Sequence, residues 1–235
     1  MTVHLQWIGM ACFRLWEEPA SAIAMDPYTP ESIGLVDDGQ RLDAETVIVS
    51  SLTDVAHANV GLVGGHPRVI NALDVARGET AEIFGRQLIA VEAAEVADHP
   101  DGADDNALYA FQAGGLWFLH MGDLGYGLDA EKLAPFADRC DVLLALTGEA
   151  LTLKFDELDP MIDILKPSWI VPMHYGLAPV SGIKRRMTRL EPFLKRRQLD
   201  PVIFCRHHTV TFPLPSPVQQ RPTIVVLEPA GYDPE

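Results

Sequence analysis

The feature that most constrains this chain is a close succession of short apolar runs, several of which end on a histidine or an aspartate. "VHLQWI", "ACFRLW" and "SAIAMD" are separated by Gly9 and Pro19, and "TVIVS", "PRVIN", "AEIFG" and "RQLIAVEAAEV" continue the series. Short apolar or alternating runs bounded by turn residues read as strands. "NALYAFQAGGLWFLHMG" reads as a hairpin of two apolar strands about Gly114-Gly115. The rhythm then changes. "DAEKLAPFA" and "FDELDPMIDILK" have helical spacing, while "CDVLLALTG" and "PSWIVPMH" are buried strands. A strand-rich first half with helices placed late predicts two sheets covered by helices in one domain. Of 235 residues 48% are hydrophobic, enough for a sizeable core. The domain is expected to span 1–212. The tail, 213–235, carries Pro213, Pro215, Pro217, Pro222, Pro229 and Pro234, and its "TIVVLE" is expected as an edge strand.

Charge and cysteine usage narrow the function classes. A net charge of -15 opposes binding to nucleic acid or to an anionic membrane. No apolar run is long enough to span a bilayer, and no basic region followed by an apolar run opens the chain, so a cytoplasmic location is expected. Cys12, Cys140 and Cys205 lie far apart without a CxxC pair, which argues against a disulfide framework or a cysteine zinc knuckle. One stretch runs against the overall charge. Residues 182–197 hold Lys184, Arg185, Arg186, Arg189, Lys195, Arg196 and Arg197, with Ile183, Met187, Leu190 and Leu194 at helical spacing. A helix with a solvated basic face, kinked or restarted at Pro192, is the simpler reading. An anion-binding patch is the sharper one.

Four strand ends deliver groups that can bind metal. "LWFLHMGDLGYG" ends an apolar strand at His120 and turns through Gly122-Asp123. "PSWIVPMHYG" ends on His174, "EVADHPDG" places His99 past a strand, and "VIVSSLTDVAHANV" leads into Asp54 and His57. Imidazole and carboxylate are the nitrogen and oxygen ligands of zinc, manganese and iron. Each also has a plainer reading: Asp123 as a turn cap, His99 as a loop residue, and His57 with His174 as hydrogen-bonded core histidines. His120, His207 and His208 read as structural or exposed, and His66, before Pro67, has no assigned role.

Taken in order, "LQWIGMACFRLW", "AIAMDPY", "VIVSSLTDVAHANV", "ADHPDG", "FLHMGDLGYGL", "DVLLALTGEALTL" and "VPMHYG" resemble the metallo-β-lactamase superfamily. They look most like the branch that includes ascorbate-6-phosphate lactonase-like proteins and metal-dependent hydrolases. The resemblance covers residues 1 to 212. It implies an α/β (or α+β) fold, a four-layer αββα sandwich with the active site at one edge between the sheets.

The family's H-x-H-x-D-H motif, laid on without a gap, falls on Leu52, Asp54, Ala56 and His57, so only the last histidine is kept. The later ligands are present as His99, the bridging Asp123 and His174. Met10, Tyr126 and Thr147-Gly148 stand where the family has histidine, histidine and a glycine pair. The resemblance therefore implies a reduced site: one divalent metal, zinc or manganese, on His57, Asp123 and His174, with Asp54 and His99 assisting. The expected reaction is attack by metal-activated water on an ester, lactone or phosphoester of a small-molecule substrate. Asp123 would act as the bridging catalytic acid and Asp54 as the base in place of the missing motif aspartate. Self-association is a further expectation from the family. The alternative is a catalytically inactive member of the same fold, acting as a binding or assembly module.

Overall fold

The computed structural model describes residues 2–18, 22–30, 39–54, 56–95, 105–149, 152–177, 187–215 and 221–230. The elements run β1 (Val3–Gly9), β2 (Cys12–Glu17), β3 (Ile23–Met25), β4 (Thr46–Val49), β5 (Arg68–Asn71), α1 (Ala72–Ala76), β6 (Glu82–Ile83), β7 (Arg86–Gln87), β8 (Ile89–Ala94), β9 (Asp105–Ala113) and β10 (Leu116–His120). They continue with α2 (Ala130–Leu133), β11 (Val142–Leu146), α3 (Phe155–Leu165), β12 (Trp169–Met173), α4 (Leu190–Arg196), β13 (Val202–Phe204), β14 (Thr209–Phe212) and β15 (Thr223–Val226).

Two large sheets face each other. One has six strands in the order β14-β1-β2-β3-β4-β5, and the other has seven in the order β13-β15-β12-β11-β10-β9-β8. Period-2 alternation sets the faces of the first sheet. In β4, Ile48 joins the central core with Leu5, Trp7, Phe13 and Met25, while Val47 and Val49 point the other way into a smaller cluster with Ala24, Ala44 and Val63. β11 and β12 are buried at every position, as central parallel strands covered on both faces must be. α3 supplies part of that cover through Phe155, Leu158, Met161, Ile162 and Leu165, a stripe at three- and four-residue spacing. α1 packs against β8 and β9, and so joins the end of the first sheet to the second.

Strand direction decides where function can sit. β10, β11, β12, β15 and β13 are mutually parallel, and β8 shares their direction because it is antiparallel to β9, which is antiparallel to β10. In the other sheet β3, β4 and β5 run parallel. Ligand sites in open α/β sheets gather outside the carboxyl ends of parallel strands. Here those ends carry His120, Thr147, His174 and Glu95 from one sheet and Asp26 and Ser50 from the other.

One expectation is corrected. The tail strand β15 is not on the edge: it lies between β13 and β12, with Ile224 and Val225 fully buried. The prolines around it point to solvent, but they flank the strand and remove no ladder hydrogen bond. In the described part of the basic stretch, two arginines are committed to the fold. The helix begins at Leu190, and Arg196 and Arg197 are already paired, Arg196 with Asp156 and Asp159 of α3, and Arg197 with Asp159 and Asp200. These arginines clamp α4 onto α3. Residues 182–186 lie outside the described residues. Among the described residues, no helix is long and apolar enough to cross a membrane.

Candidate metal centre

Each functional side chain is set by a local backbone device. After β4 the chain turns at Asp54, whose Oδ1 accepts the backbone N–H groups of Ala56 at 3.0 Å and His57 at 3.2 Å. This Asx-type turn swings the His57 ring inward. After β10 the chain reverses at Gly122, at φ +62°. A Cβ there would stand 2.3 Å from Asn106 Oδ1 and 2.7 Å from Ser50 Oγ. Only glycine fits, and the turn presents Asp123. After β12, His174 adopts φ 55°, and its N–H donates to Met10 O at 3.1 Å. Gly148 packs flat against it: a Cβ at 148 would lie 2.0 Å from His174 O.

The β1–β2 turn therefore reaches across to the opposite sheet. Met10 stands where the resemblance has a histidine, and it contributes its carbonyl instead, accepting from both His174 N and Trp7 Nε1. The next carbonyl, of Ala11, pairs with His120 Nε2 at 2.8 Å, and His120 Nδ1 accepts the Gly122 N–H at 2.9 Å. Those two bonds fix the tautomer with the proton on Nε2. The sequence left open whether His120 is structural or exposed. It is completely buried and holds the Asp123 turn in place. His66, His207 and His208 are exposed, in line with having no role at the site.

The site brings three expected residues together. His57 Nε2 lies 3.3 Å from His174 Nε2 and 3.3 Å from Asp123 Oδ2, and His174 Nε2 lies 3.7 Å from Asp123 Oδ1. All three side chains are buried. Ligands at tetrahedral corners around a zinc ion, with bonds of about 2.0–2.2 Å, stand about 3.4 Å apart. The two imidazoles and the carboxylate are already at that spacing, and all converge on one point. Two imidazole nitrogens facing each other at 3.3 Å need something between them or a shared proton, and a cation satisfies both lone pairs. The donor set fits a borderline divalent metal.

Electrostatics agree with the geometry. Burial opposes a charge on His57, but Asp123, Asp54 and Asp26 together raise it to about 10. Burial also opposes the charge on Asp123, yet the imidazoles of His174 and His57 bring it below its ordinary value. A proton thus sits firmly between His57 and Asp123, and a metal binding there displaces it.

Asp54 is close by and buried at 7% exposure, its pKa raised by burial above the usual carboxylate range. Its Oδ2 has no hydrogen-bond partner. Glu95, just past β8, brings an oxygen near Asp54 and Asp123. Glu95 is not among the donors expected from the sequence, where His99 is the metal-binding type of residue in the same stretch. Its position after an apolar strand was the available signal. His99 itself lies outside the described residues. The replaced positions cannot coordinate: Leu52 is 51% exposed, and Ala56 carries only a methyl group.

A sequence profile described as a beta-lactamase superfamily domain matches residues 4–174. The chain belongs to the metallo-β-lactamase superfamily. Among relatives in the superfamily, the UPF0173 protein PF0020 of Pyrococcus furiosus is 27% identical over 186 residues, covering 74% of this chain and 84% of its own. The UPF0173 metal-dependent hydrolase MJ1163 of Methanocaldococcus jannaschii is 24% identical over 193 residues, covering 75% and 86%. Among solved structures, a metallo-β-lactamase superfamily protein from Thermotoga maritima superposes with a TM-score of 0.67 at 25% identity, covering 96% of this chain and 98% of its own. The metallo hydrolase Igni18 of Ignicoccus hospitalis superposes with a TM-score of 0.60 at 20% identity, covering 92% and 100%, a likeness of fold. The metallo-β-lactamase fold, an αββα sandwich, agrees with the paired sheets and outer helices described above.

Proposed function

We propose that this protein is a metal-dependent hydrolase whose working centre is His57, Asp123 and His174. The observation that carries the reading is the convergence of two imidazole Nε2 atoms and one carboxylate at 3.3 to 3.7 Å, buried at the carboxyl ends of parallel strands. The names of the relatives support it. A divalent metal bound there, zinc before manganese on this donor set, supplies Lewis acidity that polarises a scissile carbonyl or phosphoryl and acidifies the attacking water.

The protein's own groups do the rest. Asp123 holds the charge balance of the two imidazoles. Asp54, with Oδ1 committed to the turn and Oδ2 free, is the group placed to accept the water's proton, the task left open by Ala56. Such a base contributes about 10²–10⁴-fold. A groove of about 520 Å³ lies along the same sheet edge, walled by Tyr175, Phe204, Val226 and Leu227, with Arg206 at its side. Its wall residue Tyr175 is the next residue after His174 in the chain, and the groove is the room we assign to the non-reacting part of a small ester, lactone or phosphoester.

The test is metal content and hydrolysis in the same preparation. Zinc-loaded protein is expected to bind one imidazole-held ion per chain and to hydrolyse 4-nitrophenyl acetate or bis(4-nitrophenyl) phosphate, with both properties removed by chelator. His174→Ala should lose the zinc and the turnover, whereas His66→Ala, at an exposed site, should keep both. Zinc retained in full by His174→Ala would place the ion elsewhere. No zinc uptake by the parent would leave a binding module in the superfamily's fold.

A further inference from the structure

At the other end of the strands, where β12 and β15 begin, lies a cavity of about 670 Å³. Three cations line it from three separate places in the chain: Lys166 at the C-terminal cap of α3, Arg197 just past α4 and Arg221 ahead of β15. Among the described residues one acid, Asp163, lines it with them. The whole chain has 33 acidic and 18 basic residues, so this lining reverses the general balance. Ser168, on the cavity wall, precedes β12, and His174 follows the strand's far end. At about 3.3 Å per residue along a strand the two lie about 20 Å apart. The cavity is therefore separate from the metal centre.

The two arginines are braced by one buried acid. Arg197 Nε donates to Asp200 Oδ2 at 2.6 Å, and Arg221 Nη1 donates to Asp200 Oδ1 at 3.3 Å. The Asp200 side chain is only 2% exposed. Arg197 Nη1 also donates to Asp159 Oδ1 at 3.1 Å. A guanidinium carries five N–H donors in a rigid fork. These bonds use two donors of Arg197 and one of Arg221, so both heads are held in place with donors to spare. Lys166 adds an exposed ammonium and Ser168 a hydroxyl. The set is rich in charged donors, and such donors make their strongest hydrogen bonds to phosphate and carboxylate oxygens. The planar fork of arginine suits phosphate in particular. Ile162, Pro167 and Pro222 supply an apolar wall beside the cations. The volume falls in the usual range for a small organic ligand, about 300–1,000 Å³, and is more than a bare anion needs.

We propose that this cavity binds a phosphorylated small molecule, its phosphate held by Lys166, Arg197 and Arg221 and its carbon skeleton laid against Pro167 and Pro222. Arg197 then serves twice. It ties α4 to α3 through Asp159, and it meets the ligand with the donors that the fold leaves over. The bound phosphate joins the ends of α3 and α4 to the start of β15, so it stabilises the folded chain. The site shares no residue with the imidazole centre, and the inference does not depend on the hydrolase reading.

The experiment titrates the full chain, in chelator and at constant ionic strength, with inorganic phosphate and with phenyl phosphate. Isothermal calorimetry reads affinity, and thermal melts read stabilisation. One equivalent of phenyl phosphate is expected to bind, more tightly than inorganic phosphate, and to raise the melting midpoint as its concentration rises. Lys166→Asn and Arg221→Gln should each weaken binding by about tenfold or more, the loss of a hydrogen bond to a charged group. Asparagine accepts the left-handed backbone of Lys166, at φ 50°, so that variant keeps the fold even if Arg221→Gln loosens Asp200. His174→Ala should bind phenyl phosphate as the parent does. Neither heat nor a melting shift with either probe at millimolar concentration overturns the proposal. So does equal affinity in Lys166→Asn and Arg221→Gln, or loss of binding in His174→Ala. Phenyl phosphate no tighter than inorganic phosphate overturns the assignment of an organic ester. The chelator keeps the imidazole centre out of every one of these results.

Discussion

Gly148→Ala is expected to unfold the centre from behind, destabilising the protein by about 3 kcal/mol and stripping His174 from the site. The added Cβ would lie 2.0 Å from His174 O and 3.1 Å from its carbonyl carbon. No side chain can swing away, because both obstacles are backbone. That backbone is itself pinned: His174 N–H is bonded to Met10 O, and the preceding Met173 O accepts both the N–H and the hydroxyl of Thr147. Relief requires β11 and β12 to part at their ends, which moves the imidazole relative to His57 and Asp123. A denaturant midpoint lowered together with zinc affinity is the expected pair of results. Unchanged zinc affinity in a folded Gly148→Ala would show that His174 is not held by this contact.

The second large effect is hidden in the parent protein and exposed by substitution. Asp26 and His120 are completely buried, with Oδ2 and Nδ1 3.3 Å apart. Burial raises Asp26 from 3.8 to about 7, against the hydrogen bonds from the Ser50 N–H and hydroxyl. Burial lowers His120 from 6.5 to about 3. Between about pH 4 and 6.5 the folded protein keeps its proton on Asp26 and none on His120, while the unfolded chain does the opposite. Each state binds one proton, so the pair gives almost no pH dependence.

Removing either partner breaks the balance. In Asp26→Asn only His120 remains, the unfolded chain binds the extra proton, and stability rises by about 1.4 kcal/mol per pH unit from about pH 4 to 6.5 relative to the parent. In His120→Gln only Asp26 remains, the folded state binds the extra proton, and stability falls by a similar amount per unit over the same window. Urea unfolding of the three proteins at several pH values in chelator decides it. Parallel curves would mean that these two groups do not exchange a proton on folding.

The parts of the site legible in sequence share a physical cause. His57 and Asp123 each follow an apolar run and a small or turn-forming residue, and His174 ends an apolar run directly, so a strand end and a polar tip could be read together. The hairpin about Gly114-Gly115 was equally plain, because alternation and a two-glycine turn agree, and β9 and β10 pair across it. Less was visible where the deciding partner is distant. Nothing around Met10 says that its carbonyl will hold His174, and nothing local to His120 announces that Asp26, Ser50 and the Ala11 carbonyl will enclose it. α1, only five residues long, gave no periodicity to detect. The burial of β15 depends on β13 arriving outside it, which proline content alone cannot foretell.

The candidate ligands come from different sheets. His57 and Asp54 hang from the six-stranded sheet, and Asp123, Glu95 and His174 from the seven-stranded one. His57 and His174 are 117 residues apart in the chain yet 3.3 Å apart at their ring nitrogens. A metal held between them would be a crosslink as well as a cofactor, stapling the two halves of the sandwich as a long-loop disulfide would in a protein whose three described cysteines are all free. At 100 times its dissociation constant such an ion adds about 2.7 kcal/mol to folding. Chelator is then expected to lower the denaturation midpoint of the fold together with any hydrolysis the centre supports.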